Sequence, residues 1–377
     1  MGRWSGVREF SRTSATCSTT PTVWPGLDEW RGRGEVDGRV VWGDGGACTE
    51  NEASEEIDGV YRRLWEGTDV NDVSCATVAE YGKTVLCEPH PLRKAALTHK
   101  ALEEFHAGLL GIHGTTLEVA PDVPARPEKP ELLPARQIPT LKETPLPMNG
   151  YTLHNLAHVE LNAIDLAWDT IVRFSHLQFL PQQFYLDFLG VADDEARHLG
   201  WCLQRMSEIG IQYGDMPAHN LLWEGCIASA GDVRERLAVV PMSQEARGLD
   251  AGGRLAERLV GWGDNRSAAI VARIADEEQA HVAVGVYWFN TMCHVLGQDA
   301  KRVFIETLSE TCPDLLRAPF NHDARQKKIE RIRQHRKQHG SLGLQQREPL
   351  SLHADDDTLL KSRLELFISQ EIEMKSV

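Results

Sequence analysis

Apolar residues recur at helical spacing through four long stretches, 150–178, 182–210, 232–260 and 265–297, each with few internal breakers. The joints are legible. Pro181 separates the first two stretches, and Gly261-Trp262-Gly263-Asp264-Asn265 punctuates the last two. A longer connection, about 211–231, lies between the second and third and holds Gly214, Pro217 and a short helical stretch. The pattern predicts an all-α protein built on two helical hairpins joined by one long crossover, a four-helix bundle.

The flanks read differently. Residues 1–84 form an N-terminal extension, rich through residue 60 in Gly, Ser, Thr and acids, with four scattered tryptophans (Trp4, Trp24, Trp30, Trp42) and little periodicity. Such a stretch is expected to be largely irregular. Pro91 opens a run of good helix formers to about Leu110, a favourable start because proline suits the first helical position. Eight prolines between 114 and 148 then preclude a helix and predict an extended belt over the surface. Beyond Gly297 a helix is expected at 299–310, then a basic segment, then a last helix near 356–375. The expected organisation is therefore extension 1–84, bundle domain 85–326 with its leading helix and Pro-rich belt, and tail 327–377.

Composition narrows the function classes. Hydrophobic residues make up 42% and charged residues 25%, as in ordinary globular proteins. No run approaches the 18 or so apolar residues that cross a bilayer. A net charge of −15 argues against nucleic-acid binding by the whole surface. Arg325–Lys337 nevertheless carries seven basic residues against one Glu. A solvated helix face is the preferred reading there, and contact with RNA or another anionic partner is the alternative. The eight cysteines include no Cys-x-x-Cys pair, which excludes a zinc ribbon and suits a reducing compartment. Residues 1–20, with Arg3, Arg8, Arg12 and one acid, loosely resemble a mitochondrial transit peptide. A disordered leader on a cytoplasmic protein is preferred, because no clean amphipathic stripe is present.

The chemistry-bearing feature is a pair of Glu-x-x-His motifs, Glu195–His198 and Glu278–His281. Residues three apart share a helix face, with Cβ atoms about 5–6 Å apart, so carboxylate and imidazole can meet one metal. Spacing sets these two above chance. Di-metal bundle sites take one Glu from each of two helices and Glu-x-x-His from the other two. Glu160 and Glu195 are 35 residues apart, with their midpoint near 177–178, just ahead of Pro181. Glu245 and Glu278 are 33 apart, with their midpoint inside the Gly-rich joint. Antiparallel helices folded at those joints hold each pair level, since every residue rises about 1.5 Å. Glu160, Glu195, His198, Glu245, Glu278 and His281 are thus the expected ligands. Four carboxylates in one core layer repel unless a cation answers them.

Asp194 and Glu277 immediately precede ligand glutamates and could accept a hydrogen bond from a ligand histidine on an adjacent helix, with a solvent-facing acid as the nearly equal alternative for each. A third motif, Glu103–His106, lies outside the bundle without a matching carboxylate and is read as accidental. His154 and His158 share a face of their own and are read as structural. Trp168, Trp201, Trp223, Trp262 and Trp288 are expected to fill core or interhelix space. Tyr185 and Tyr287 lie at unconvincing helical offsets from the ligands for a redox role.

Several segments together resemble a known group. They are HVELNAI at 158–164, ADDEARH at 192–198, EARGLD at 245–250 and DEEQAH at 276–281, with RPEKP at 126–130 upstream and PFNHDAR at 319–325 downstream. In order and spacing they look like an uncharacterised ferritin-like family, domain of unknown function 455, over about 85–326. The resemblance implies a ferritin-like fold and a di-metal carboxylate site, and no particular activity. Asp194–His198 is also similar to the metal motif of bacterial di-iron monooxygenases, an analogy at the level of fold. The functional expectation is an O2-activating oxidase or hydroxylase with two iron ions, manganese being the alternative, acting on an unidentified small molecule or RNA. Iron oxidation or storage, and a metal-stapled interaction scaffold, are the competing classes.

Overall fold

The computed structural model describes Leu27 and residues 68–112, 114, 117–177 and 179–316, with only the backbone of residues 249 and 250. The leader, the four early tryptophans, the basic stretch Arg325–Lys337 and the helix expected near 356–375 lie outside the described residues. The described chain is all-α: α1 (Val78–Cys87), α2 (Pro91–His106), α3 (Met148–Arg173), α4 (Gln182–Glu208), α5 (Leu221–Ala228), α6 (Val233–Val239), α7 (Glu245–Gly261), α8 (Asn265–Val295) and α9 (Ala300–Thr311). No β-strand occurs among the described residues, and two isolated bridges tie loops together. No described helix is long and apolar enough to cross a membrane.

Helices α3 and α4 form one hairpin and α7 and α8 the other, with α8 also packed on α4. Hydrogen bonds fix their relative direction. Asp264, in the α7–α8 turn, accepts from Asn149 at the start of α3 (2.7 Å) and from Arg205 near the end of α4 (3.0 Å). At the opposite end Arg234, at the start of α6, reaches Gln298 just past α8 (2.6 Å). The connection from α4 to α6 therefore runs the length of the bundle, carrying α5 on its way. This is the long crossover that the spacing of the four stretches predicts.

Three details depart from the sequence reading. The first hairpin helix ends at Arg173, so the joint spans 174–181. Its centre still falls between 177 and 178, which keeps Glu160 and Glu195 level. The third stretch is not one α-helix. A π-helical turn, Val240–Gln244, separates α6 from α7. Pro241 lies within it, lacks an N–H and cannot continue a regular ladder without clashing four residues back. Ser243 Oγ donates to the Ala238 carbonyl (2.7 Å), and the Glu245 N–H donates to Val240 O. Gly285 of α8 makes room, since a Cβ there would lie 2.6 Å from the Pro241 Cβ.

The third departure is α1, part of which falls inside the extension expected to be irregular. Ten residues with two valines, a glycine and a threonine have weak intrinsic helicity. Tertiary packing supplies the rest. Thr77 caps its start (Glu80 N–H to Thr77 Oγ1, 3.2 Å), and Val78, Tyr81, Val85 and Leu86 are buried against the first hairpin. Helix α2 packs on α4. Trp262 is the one exception among the tryptophans expected in the interior: it is 67% exposed, because the α7–α8 turn carries it past the end of the helix.

Two buried ion networks pin the outer helices to α3. Lys94 is fully buried and donates to Asp165 (2.6 Å) and to Val85 O (3.0 Å); Arg126 of the Pro-rich belt grips the other Asp165 oxygen and Asn162. Asp169 accepts from Arg236 (2.6 Å) and Arg173 (2.7 Å). Removing one partner of such a pair costs about 3–5 kcal/mol, because the other is left charged and dry. These networks tie helix register around the central layer to buried charge pairs.

Candidate metal centre

Glu160 projects from the middle of α3, Glu195 and His198 from α4, Glu245 from the first turn of α7, and Glu278 and His281 from α8. The hairpin register brings all six together. Their donor atoms form two overlapping groups, Glu160/Glu195/His198/Glu278 and Glu195/Glu245/Glu278/His281, each with its donors within 4.8 Å of one another. Glu195 and Glu278 belong to both groups. Five of the six residues are buried, and Glu245 is half-buried.

The imidazoles are oriented alike. His198 turns Nδ1 inward, 3.3 Å from Glu195, 3.4 Å from Glu160 and 3.7 Å from Glu278. His281 does the same, 2.9 Å from Glu195 and 3.2 Å from Glu278. Their Nε2 atoms point outward and cross between hairpins. His198 Nε2 meets Glu277 at 2.8 Å and His281 Nε2 meets Asp194 at 3.1 Å. Each imidazole is thus held by the acid that precedes the partner helix's glutamate, as the sequence offsets suggest. Such a bond fixes Nε2 as donor and leaves the Nδ1 lone pair for the centre.

The electrostatics are those of a crowded acid layer. Burial, then the neighbouring Glu195 carboxylate, pushes Glu160 well above the usual carboxylate range. Burial, then Glu278 and Glu195, does the same to Glu245. Burial also opposes ionisation of Glu195, but the His281 and His198 imidazolium charges outweigh it and hold that carboxyl low. Both imidazoles gain more from the surrounding carboxylates than burial takes away, so both are raised well above the ordinary histidine range.

The donor set fits a pair of divalent ions. Glu160 Oε2 and Glu195 Oε1 are buried without any hydrogen bond, although imidazole nitrogens stand 3.4 and 2.9 Å away, off the line such a bond requires. A buried acceptor without a donor is costly unless something electropositive meets it. A cation between the inward Nδ1 atoms and these oxygens would meet that need.

The remaining candidates fall elsewhere. Glu103 and His106 are exposed on α2, away from both groups. His158 is fully engaged, with Nδ1 at 2.7 Å from the Tyr213 hydroxyl and Nε2 at 2.9 Å from His219 O. His154 accepts the Gly214 N–H (2.9 Å), and burial depresses both histidines to about 4. Tyr185 donates to Phe174 O (3.0 Å). Sequence reasoning missed Arg197 and Arg273. Arg197 donates to Asp194 and to Glu277 (3.1 Å), and Arg273 to Glu277 (2.7 Å). The Arg273–Glu277 offset of four and the Asp194–Arg197 offset of three were both available as signals.

The sequence profile of a family described as "Protein of unknown function (DUF455)" matches residues 87–328, which hold the whole four-helix bundle and both groups of donors. The chain belongs to this family. An uncharacterized protein of Haemophilus influenzae is 36% identical over 216 residues, covering 55% of this chain and 74% of its own. No solved structure matches the chain. Leu27 and α1, except its last residue, lie outside the matched stretch.

Proposed function

We propose that the six side chains hold two iron ions, with manganese as the alternative, in a ferritin-like di-metal carboxylate protein. On this reading the protein activates O2 to oxidise or hydroxylate an organic substrate. The observation that carries it is the sharing of Glu195 and Glu278 between two groups of four donors. One cation needs one such group. Two groups with two carboxylates in common suit a bridged pair.

Four carboxylates and two imidazoles favour iron or manganese over metals that select thiolates. Structural zinc sites are instead closed sets of Cys and His. When bound, two redox-active ions would supply the electrons that O2 reduction requires. The chain's own part is to bind, orient and keep dry. Glu160 and Glu245 each serve one end of the layer. Asp194 and Glu277 keep the Nε2 proton of His281 and His198 in place. Buried Leu161, Ala196, Leu199 and Val282, beside the donors along their helices, limit water.

The test is elemental analysis and visible and Mössbauer spectroscopy of protein purified without added metal, then reloaded anaerobically with ferrous iron. About two ions per chain are expected. Less than half an equivalent after loading would end the di-metal reading. Light scattering and substrate-dependent O2 consumption separate an oxygenase from an iron-storage particle.

A further inference from the structure

Arg197 sits one residue before His198, and its guanidinium faces away from the donors. Its Nη2 meets both Asp194 and Glu277, the two acids that hold the two outward imidazole nitrogens. The result is a continuous chain, His281–Asp194–Arg197–Glu277–His198, that runs behind the six donors and links α4 to α8. The guanidinium also stands over the Trp201 ring at 5.4 Å, and that ring lies 5.4 Å from His198. An arginine guanidinium stays protonated in a protein at any ordinary pH. Its positive charge is therefore fixed.

We propose that Arg197 is a positioning residue shared by both halves of the metal centre. The argument rests on the di-metal reading and on three steps. Each imidazole presents Nδ1 inward only while its Nε2–H is held from outside. Each holding acid is buried, Asp194 almost completely and Glu277 mostly, and would be free to turn away from its imidazole without the guanidinium beside it. One planar guanidinium meets both acids, which a lysine, with a single compact charge, cannot reproduce with the same geometry. Arg197 thereby locks the rotation of two rings on two different helices. Arg273 supports Glu277 alone (2.7 Å), so it serves one half.

The test compares metal binding by full-length wild type, Arg197→Leu, Arg197→Lys and Arg273→Leu, using cobalt(II) as a spectroscopic probe and manganese(II) as a second ion. Loss of a partner that orients a metal-bound histidine lowers affinity by about 10- to 100-fold. Arg197→Leu should weaken both cobalt sites by that range and alter the ligand-field bands of both. Arg197→Lys should recover part of the affinity, and Arg273→Leu should affect one site only. Arg205→Leu is the control for a merely structural arginine. Arg205 bonds Asp264, Ser267 and Glu208 at the far end of α4, so its loss should lower stability while leaving cobalt bands and affinity unchanged. Arg197→Leu binding both ions within about threefold of wild type, with unchanged bands, would overturn the proposal. If Arg197→Leu does not fold, the lysine variant decides: wild-type affinity and bands in Arg197→Lys overturn it equally. Wild type that binds no cobalt would instead sink the metal reading itself, so the two failures are distinct.

Discussion

Loading the proposed centre with metal should expel protons, and the number is set by the groups that hold them in the empty layer. Glu160 and Glu245 are raised well above the usual carboxylate range, and His198 and His281 well above the usual histidine range. Between about pH 6.5 and 8 an unfolded chain keeps its glutamates ionised and its histidines mostly neutral. The folded apo layer then binds up to four more protons than the unfolded chain. A group whose folded pKa is raised contributes stability below its unfolded pKa and loses it as pH rises. All four groups act in that direction, so apo stability should fall with rising pH in this window, by up to about 1.4 kcal/mol per proton per pH unit. His154 and His158, depressed to about 4, work oppositely, but their effect is confined to pH values between about 4 and 6.5.

Metal must displace these protons to reach the carboxylate oxygens and the Nδ1 lone pairs. Combined affinity for two ions should therefore rise steeply with pH, by up to about a decade per displaced proton per pH unit. Loaded protein should show the inverse stability trend, losing stability as falling pH reprotonates the donors. The assay is calorimetric titration of apo protein with manganese(II) near pH 7.5, in buffers of different ionisation heat, beside thermal unfolding of apo and loaded forms from pH 6.5 to 8. Release of fewer than one proton per chain, or parallel stability trends in the two forms, would refute the shared buried layer.

Replacing Glu103 and His106 together by alanine should leave metal content and bundle stability unchanged, since both are exposed on α2; Glu278→Ala, at a shared donor, should lose at least one ion by elemental analysis. Gly82→Ala should destabilise the protein by about 1–3 kcal/mol in denaturant unfolding, because the added Cβ would lie 2.5 Å from Val172 Cγ2 and 2.7 Å from Trp168 Cε3. Wild-type stability in that variant would show that α1 does not pack on α3 as described.

Much of this centre is legible because it depends on helix length alone. A hairpin holds two residues level when its joint lies at their midpoint, so Glu160 with Glu195 and Glu245 with Glu278 can be paired by counting. That held even though the first joint begins at Phe174, well before Pro181, because the whole joint is centred on the same point. The outward acids follow from a similar offset. What counting cannot supply is contact between distant segments. The π-helical turn before Glu245 depends on Gly285 yielding space to Pro241, 44 positions earlier. Helix α1 depends on burial against α3. Arg197 reads as an ordinary charge between Ala196 and His198 until α8 delivers Glu277 to the same guanidinium.

The π-helical turn and the proton count meet at Glu245. A continuous α-helix through 233–261 would place each residue about 100° further round than its predecessor. The wider turn changes the phase between α6 and α7, so the apolar face of α6 can stay buried while Glu245 is aimed at Glu278 and His281. That placement costs desolvation of a fourth carboxyl, and burial with the neighbouring Glu278 raises its pKa, which favours the protonated form in the empty layer. The same holds for Glu160 at the other end. Exchanging four protons, two from these carboxyls and two from the imidazoles, for two divalent ions leaves the net charge of the layer unchanged. A buried layer can tolerate both states for that reason, since neither leaves an uncompensated charge in the core. On the proposed reading, a mononuclear site would exchange only half of those protons and leave one end glutamate still protonated, so the pairing of Glu160 with Glu245 favours two ions over one.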